Sequence, residues 1–226
     1  MRLLDLFCCE GGAGTGYAQA GFDVVGIDIA PQPRYPFEFH QADAIEYVTE
    51  HWREFDAIHA SPPCQAYSIT KHSHGKDHPD LLEPTRMALI ATGLPYIIEN
   101  VVGAPLIDPV LLCGTMFNLS AIDVDGEPLV LQRHRLFESN VWLMSAGGCS
   151  HDGRQVAGVY GGGRHRNVSD RDSPSRRGGY TPLGSVRAEL MDMPWATQHG
   201  LTQAIPPAYT EFLGRQLMAH LRQVAA

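Results

Sequence analysis

Residues 2–28 read RLLDLFCCEGGAGTGYAQAGFDVVGID, and the order of features in that stretch decides the fold class. RLLDLF (2–7) is a short apolar run of the kind that forms a strand buried on both faces. It ends at a Gly-rich turn, CCEGGAGTGY, and a helix-compatible stretch follows. Glycines there let backbone approach a ligand closely, and the first turn of a helix offers free N–H groups. DVVGIDI (23–29) is a second strand with an acid, Asp28, at its exit. Strand, turn, helix, strand is the repeating unit of a parallel α/β sheet.

The alternation continues outward. Beyond the Pro-broken loop APQPRYPFEFH (30–40), FDAIHASPPCQ (55–65) reads as a strand running into a Pro-stiffened turn. Residues 80–93 read as a helix, and LPYIIENV (94–101) as another strand ending at an acid. The pattern predicts a parallel sheet with helices on both faces. Residues 145–185 differ: they are rich in Gly, Ser and Arg with little periodicity, and read as a compact, loop-rich insertion or a partly mobile segment. Pro206-Pro207 then precede a helix-like segment with Phe212, Leu213, Leu217, Met218, Leu221 and Val224 on one broad face, expected to pack back on the sheet.

The chain has 226 residues, 44% of them hydrophobic and 19% charged, which fits one globular domain with a small inserted lobe. No window approaches the roughly 18 unbroken apolar residues of a membrane span, and MRLLDLFCCEGG reads as a buried strand rather than a signal peptide. Five cysteines, at 8, 9, 64, 113 and 149, form no CxxC pair, so free thiols in a reducing, cytoplasmic setting are expected. No metal site is expected either: the ligands lack zinc-type spacing, and the eleven histidines support only a weak metal reading. The net charge of −8 hides an asymmetry. Residues 133–187 hold 9 Arg and 4 acids, a net of +5, whereas 1–132 hold 6 Lys and Arg against 18 acids, a net of −12. Phosphate binding depends on local potential, so the basic segment keeps a nucleic-acid partner open beside the plainer reading of a solvated Arg-rich loop.

Four motifs carry candidate chemistry. Gly11-Gly12 with Asp28 about 16 residues on suits a nucleoside-containing cofactor, the carboxylate accepting from ribose hydroxyls. SPPCQAYS (61–68) holds Cys64 on a stiff turn at a strand exit, either as a nucleophile or as a small buried residue. In IIENV (97–101), Glu99 follows apolar strand residues; a desolvated carboxyl has a raised pKa and can donate a proton, or it can be structural. In QRHRLF (132–137), Arg133 and Arg135 alternate, and on an extended segment they would share a face suited to phosphate or carbonyl oxygens, or to solvent.

In this order the motifs resemble the DNA (cytosine-5) methyltransferase family: DLFCCEGG, Asp28, Asp43, Pro63-Cys64-Gln65, Glu99-Asn100-Val101 and Arg133-His134-Arg135. AIPPAYTEFLGRQL near the end is similar to the last motif of small phage-encoded members, and the resemblance spans roughly 1–137 and 188–223. The chain departs from the family pattern at Cys8-Cys9, Ile29 and Leu131. The resemblance implies a Rossmann-like S-adenosylmethionine-dependent methyltransferase sheet in 1–139, a reduced target-recognition region in 140–187, and a C-terminal segment, 188–226, packed back on the core. It further implies Phe7, Gly11, Gly12, Asp28, Ile29, Asp43 and Pro63 around S-adenosylmethionine. Cys64, Glu99, Arg133 and Arg135 would be the catalytic group, and Gln65, Ser68, Arg164 and Arg166 would contact nucleic acid. The implied partner is double-stranded DNA with a cytosine target, met by a monomer. RNA, or a non-catalytic nucleic-acid-binding role, is the alternative. The polar loop 66–80 is expected to close over a flipped base.

Overall fold

The computed structural model describes residues 1–63, 80–151, 153–161, 163–165 and 180–225. Five parallel strands form its centre: β1 (Arg2–Leu6), β2 (Asp23–Asp28), β3 (Glu38–Gln41), β4 (Ala57–Ala60) and β5 (Tyr96–Asn100). β6 (Val110–Leu112) and β9 (Arg135–Ser139) complete a seven-stranded sheet of order β3-β2-β1-β4-β5-β9-β6, with β9 antiparallel to both neighbours. β7 (Ser120–Ile122), β8 (Pro128–Leu131) and β10 (Gln155–Ala157) make a second, three-stranded sheet. The helices are α1 (Gly12–Gln19), α2 (Ala44–His51), α3 (Leu82–Thr92), α4 (Gly184–Met191), α5 (Gln198–Gln203) and α6 (Pro207–Val224). Among the described residues no helix is long and apolar enough to cross a membrane.

The continuous apolar strands arise because side chains alternate between two buried faces. Leu3, Val24, Ala57 and Ile97 face α1 and α6, against Tyr17, Tyr209, Leu213 and Leu217. Their neighbours Leu4, Val25, Ile58 and Ile98 face the other way, against Val48 of α2 and Leu89 of α3. Helices on both faces match the expected α/β architecture. α1 is built of small residues because α6 crosses it closely: a Cβ on Gly16 would run into the Pro207 carbonyl and the Thr210 hydroxyl. Thr210 Oγ1 donates to the Ala13 carbonyl across this crossing at 2.9 Å. The C-terminal segment thus packs on the sheet through Leu213, Leu217 and Met218, but Val224 is 73% exposed, the last turn having run past its partner helix.

Arg86 of α3 and Glu138 of β9 form a buried bidentate pair, Nε–Oε1 and Nη2–Oε2 both at 2.8 Å. Arg86 also donates to the Pro105 carbonyl at 2.9 Å, and the Ile107 amide donates to Glu138 at 2.8 Å.

The small lobe crosses the boundary expected near residue 140: β7 and β8 precede it and β10 follows it, and β8 pairs with both. Tyr180 bridges to Ala157, and α4 supplies Val186, Leu190 and Met191 to the core beneath this sheet.

Candidate active site

Strand order reverses at β1, with β2 on one side and β4 on the other. Loops leaving strands that diverge at such a switch point open a crevice at their carboxyl ends. The crevice here is lined by the exits of β1 (Phe7, Cys8, Cys9), β2 (Asp28, Ile29), β4 (Ser61, Pro62, Pro63) and β5 (Glu99, Val101), by Asp5, Gly12, Ala13 and Arg135, and by Gln203–Ile205.

The β1 exit turns abruptly. Phe7, Cys9 and Gly11 all have positive φ, at 58°, 47° and 82°. Only glycine adopts that region without strain, so the first two cost about 1–3 kcal/mol each. Hydrogen bonds hold them: Cys8 N–H to the Ile27 carbonyl at 3.1 Å and Cys9 N–H to Asp28 Oδ2 at 3.0 Å. Glu10, absent from the sequence-based candidates, clamps the turn to the C-terminal segment. Its carboxylate accepts from the Thr197 amide and hydroxyl, each at 2.6 Å, and its carbonyl from Trp195 Nε1 at 2.8 Å. That clamp sets the opening residue of α5 and so carries Gln203–Ile205 into the crevice wall, which no local motif announces.

The floor is acidic. Asp28 accepts from the Cys9 and Ala30 amides at 3.0 and 2.9 Å. Asp5 is fully buried; its Oδ2 accepts from the Tyr35 hydroxyl at 3.0 Å, while Oδ1 has no hydrogen-bond partner among the described residues. Burial, reinforced by the Asp28 charge and opposed by the Tyr35 and Gly14 hydrogen bonds, pushes the Asp5 carboxyl up to about 7. The folded chain therefore holds this proton more tightly than the unfolded chain, whose carboxyl titrates near 3.8. Stability falls as pH rises from about 4 to about 7, and above that the loss is roughly 4 kcal/mol at 1.36 kcal/mol per pH unit. Asp5→Asn, which carries no charge to desolvate, should raise Tm at pH 8 and leave it near wild type at pH 4. Thermal melts across that range check this, and an equal shift at both ends would refute it.

Glu99 lies on the β5 wall, 7% exposed. Arg135 of β9 pairs with it, Nε–Oε1 2.9 Å, because the antiparallel β5–β9 register sets Glu99 opposite Phe137, near that arginine. Burial raises the Glu99 carboxyl above its ordinary range; Arg135, the Ser61 hydroxyl and Arg133 pull it part of the way back. Ser61 belongs to a buried chain in which the Tyr17 hydroxyl meets His59 Nδ1 at 3.0 Å and His59 Nε2 meets Ser61 Oγ at 2.9 Å. Burial lowers His59 to about 3, so this imidazole is neutral and orients Ser61 without adding charge. Asn100 ties β5 to the proline turn: Nδ2 donates to the Pro62 carbonyl at 3.1 Å.

Among the described residues, the thiols that line the crevice, Cys8 and Cys9, are poor nucleophiles. Burial and the Asp28 and Asp5 carboxylates push Cys9 up to about 12 and Cys8 higher still.

Several expectations need correction. Arg133 does not share a face with Arg135. Its φ of 31° breaks the extended run, and its buried guanidinium donates to the carbonyls of Ala204 (3.0 and 2.6 Å), Thr202 (2.8 Å) and Val159 (3.3 Å). It is a structural staple between β9 and the C-terminal segment. Arg187 is likewise 2% exposed and donates to the Gly161 carbonyl at 2.8 Å and to Gln198. With Arg135 paired to Glu99, three of the nine arginines in 133–187 are committed inside the fold, so the positive potential there is smaller than the raw count implies. Asp43 caps α2, its Oδ1 accepting from the Ile45 and Glu46 amides at 2.9 and 3.0 Å, and it lies outside the crevice lining. Gly11 is the N-cap of α1 rather than a lining residue. The reading that no zinc-type cluster exists holds along the sequence but not in space, where Cys113, His134, Cys149 and His151 converge. Arg164 is exposed, with its guanidinium 5.5 Å from the Tyr180 ring centroid. Cys64, Gln65, Ser68 and Arg166 lie outside the described residues, as does nearly all of loop 66–80.

The residues present fit S-adenosylmethionine. Asp28 stands at the β2 exit where ribose hydroxyls can donate to it, and Asp5 adds an orphaned buried acceptor. The acidic floor suits a ligand bearing sulfonium and ammonium charges, and the opening residues of α1, Gly12 and Ala13, carry the unsatisfied amides that suit a carboxylate.

Comparison with known proteins agrees. Residues 1–103 match the family model for C-5 cytosine-specific DNA methylases. The Type II methyltransferase M.AgeI of Thalassovita gelatinovora is 30% identical over 121 residues, a match covering 46% of this chain and 28% of that protein. The chain thus spans little more than a quarter of this curated relative. Two solved structures share the fold from end to end. An E. coli prophage-encoded protein assigned as a DNA modification methyltransferase superposes with a TM-score of 0.56 at 14% identity, covering 99% of both chains. The S. pombe Dnmt2 methyltransferase superposes with a TM-score of 0.59 at 12% identity, covering 98% of this chain and 99% of that one. Residues 1–103 are thus similar to the C-5 cytosine-specific DNA methylase family, and S-adenosylmethionine is the cofactor that this likeness and the crevice imply.

Proposed function

We infer that the protein methylates C5 of cytosine in double-stranded DNA, acting on a base flipped out of the helix. One observation carries the reading furthest: the buried Glu99–Arg135 pair, at 2.9 Å, lines the same crevice as the Pro62-Pro63 turn that leads directly into Cys64. Cytosine C5 is too weak a nucleophile to act alone. Addition of the Cys64 thiolate at C6 makes the C4–C5 bond an enamine and C5 nucleophilic. S-adenosylmethionine, held in the crevice at Asp28, would supply the electrophilic methyl group for that carbon, its C–S bond breaking to leave S-adenosylhomocysteine. Glu99, its carboxyl raised above the ordinary range by burial, donates to N3 in its protonated form and accepts from the exocyclic amine, stabilising the charge that develops as C6 is attacked. Arg135 orients Glu99 and reaches towards the base O2 or the flanking phosphate. Loss of the C5 proton to water and departure of the Cys64 thiolate restore the ring. Cys8 and Cys9 cannot take this part, since both thiols are held protonated.

Asn100 and the two prolines position the turn before Cys64, and the loop that follows, with Gln65 and Ser68, is assigned to the flipped base. The region 140–187, with Arg164 and Arg166, is assigned to target recognition. Its shortness implies few base-edge contacts and therefore a short or loose target.

The test is covalent trapping. With S-adenosylmethionine and a DNA pool containing 5-fluorocytosine, the wild-type chain should give an adduct that survives denaturation, and Cys64→Ala should give none. An adduct with RNA but not DNA would replace the substrate; no adduct on either, from folded protein that binds S-adenosylmethionine, would refute the mechanism.

A further inference from the structure

Cys113 directly follows β6, His134 directly precedes β9, and Cys149 and His151 lie on the loop that follows β9. None of the four takes part in the crevice just described. Their ligand atoms all lie within 4.8 Å of one another. Cys113 Sγ stands 3.5 Å from His151 Nε2, and Cys149 Sγ stands 3.7 Å from His134 Nε2. The two imidazoles meet edge to face, ring centroids 5.0 Å apart. A tetrahedral zinc ion with bonds of about 2.3 Å to sulfur and 2.0–2.1 Å to nitrogen has sulfur–nitrogen edges of about 3.5–3.6 Å. The observed separations are those edges to within about 0.2 Å, before any metal draws the ligands together.

We propose that Cys113, His134, Cys149 and His151 form a Cys2His2 site for a structural zinc ion. Zinc's borderline softness matches two thiolates and two imidazoles, and four protein ligands leave no open position for catalysis. The Thr115 hydroxyl, 3.2 Å from Cys113 Sγ, supplies an outer hydrogen bond to one thiolate. A Cys113–Cys149 disulfide would satisfy the sulfurs but would give no reason for both Nε2 atoms to point at them. The spacing Cys113-x20-His134-x14-Cys149-x-His151 hides the site from a motif search because its ligands come from three separated segments.

The location gives the ion a task. His134 sits between Arg133, which staples the C-terminal segment, and Arg135, which pairs with Glu99. Zinc at His134 would fix the chain where it must send two successive arginines to different partners. It would also pin the 141–151 loop, the start of the region that leads to β10 and the small sheet, against the edge strand β6.

The test uses the full chain, purified reduced, loaded with zinc and desalted. About one zinc per chain by elemental analysis is expected, and Cys113→Ser/Cys149→Ser should hold less than about 0.1. His151 is exposed, so His151→Ala should fold; it should release zinc to a chelator at least tenfold more readily than wild type. Cobalt in place of zinc should give the absorption bands of a tetrahedral thiolate site, a readout independent of any variant. Stripping the metal should lower Tm by several degrees and open 140–151 to protease. Wild-type protein that retains no zinc would overturn the proposal, as would full retention in the double variant. So would a denatured thiol count of three rather than the chain's five in protein purified without reductant, the mark of a disulfide.

Discussion

Glu99→Gln should lower turnover by about 10²–10⁴-fold while S-adenosylmethionine affinity and DNA affinity stay within a few-fold of wild type. Glutamine keeps the shape: its amide nitrogen can donate to N3 and its oxygen can accept from the exocyclic amine, so the ground-state contacts with the base survive. What it cannot do is yield a proton, or share one, as charge builds on the ring during attack at C6. Burial is what makes the native carboxyl fit for this, since it raises the Glu99 pKa despite an arginine at 2.9 Å. The loss should therefore appear in kcat and not in KM, and adduct formation with 5-fluorocytosine should slow by the same factor. Arg135 loses its counter-charge in this variant, so some stability is lost as well. A melt separates the two effects, because a structural role would lower Tm without a pure kcat defect in the protein that remains folded. Turnover within threefold of wild type would remove Glu99 from the chemistry.

How far the sequence could foresee this site depended on which physical signal each element left behind. Strands β1, β2, β4 and β5 are buried on both faces, so each is a short apolar run; β1 ends at the Gly-rich turn, and the others at polar or stiffened exits, Asp28, Ser61-Pro62 and Glu99-Asn100. That made the parallel core and the carboxyl-end crevice legible. Arg133 was misjudged because alternation presumes an extended chain, and a single left-handed residue sends its side chain into the interior instead. The crevice wall at Gln203–Ile205 had no signature because it is placed by Glu10, which lies almost 190 residues away from Thr197 in sequence and captures it through the backbone amide and hydroxyl. The small sheet escaped for a related reason: β7 and β10 are three residues each, too short for periodicity to register. Asp43 shows the opposite error, since an acid at a helix start satisfies the helix first, whatever else its second oxygen does.

Glu138→Ala should be the most destabilising single change remote from the crevice, at about 3–5 kcal/mol. Glu138 is 2% exposed and accepts two hydrogen bonds from Arg86 and a third from the Ile107 amide. Truncation leaves the Arg86 guanidinium buried, with the Pro105 carbonyl and the exposed Glu83 to hold its charge, and it orphans a backbone donor at the same time. For a chain of this length 1 kcal/mol corresponds to roughly 2–4 °C, so Tm should fall by about 6–20 °C. Replacing both charges with apolar side chains, Arg86→Met with Glu138→Leu, should recover most of that loss, because the cost lies in the stranded charge rather than in the absent attraction. The double variant also separates stability from chemistry. Glu138 lies three residues beyond Arg135 on β9, and β9 carries that arginine to Glu99 only while its register against β5 holds. If the ion pair serves only to anchor α3, the double variant should methylate at close to the wild-type rate. If the pair also sets the register of β9, stability should return while turnover stays low, and the Glu99–Arg135 geometry would then depend on a salt bridge on the far side of the sheet.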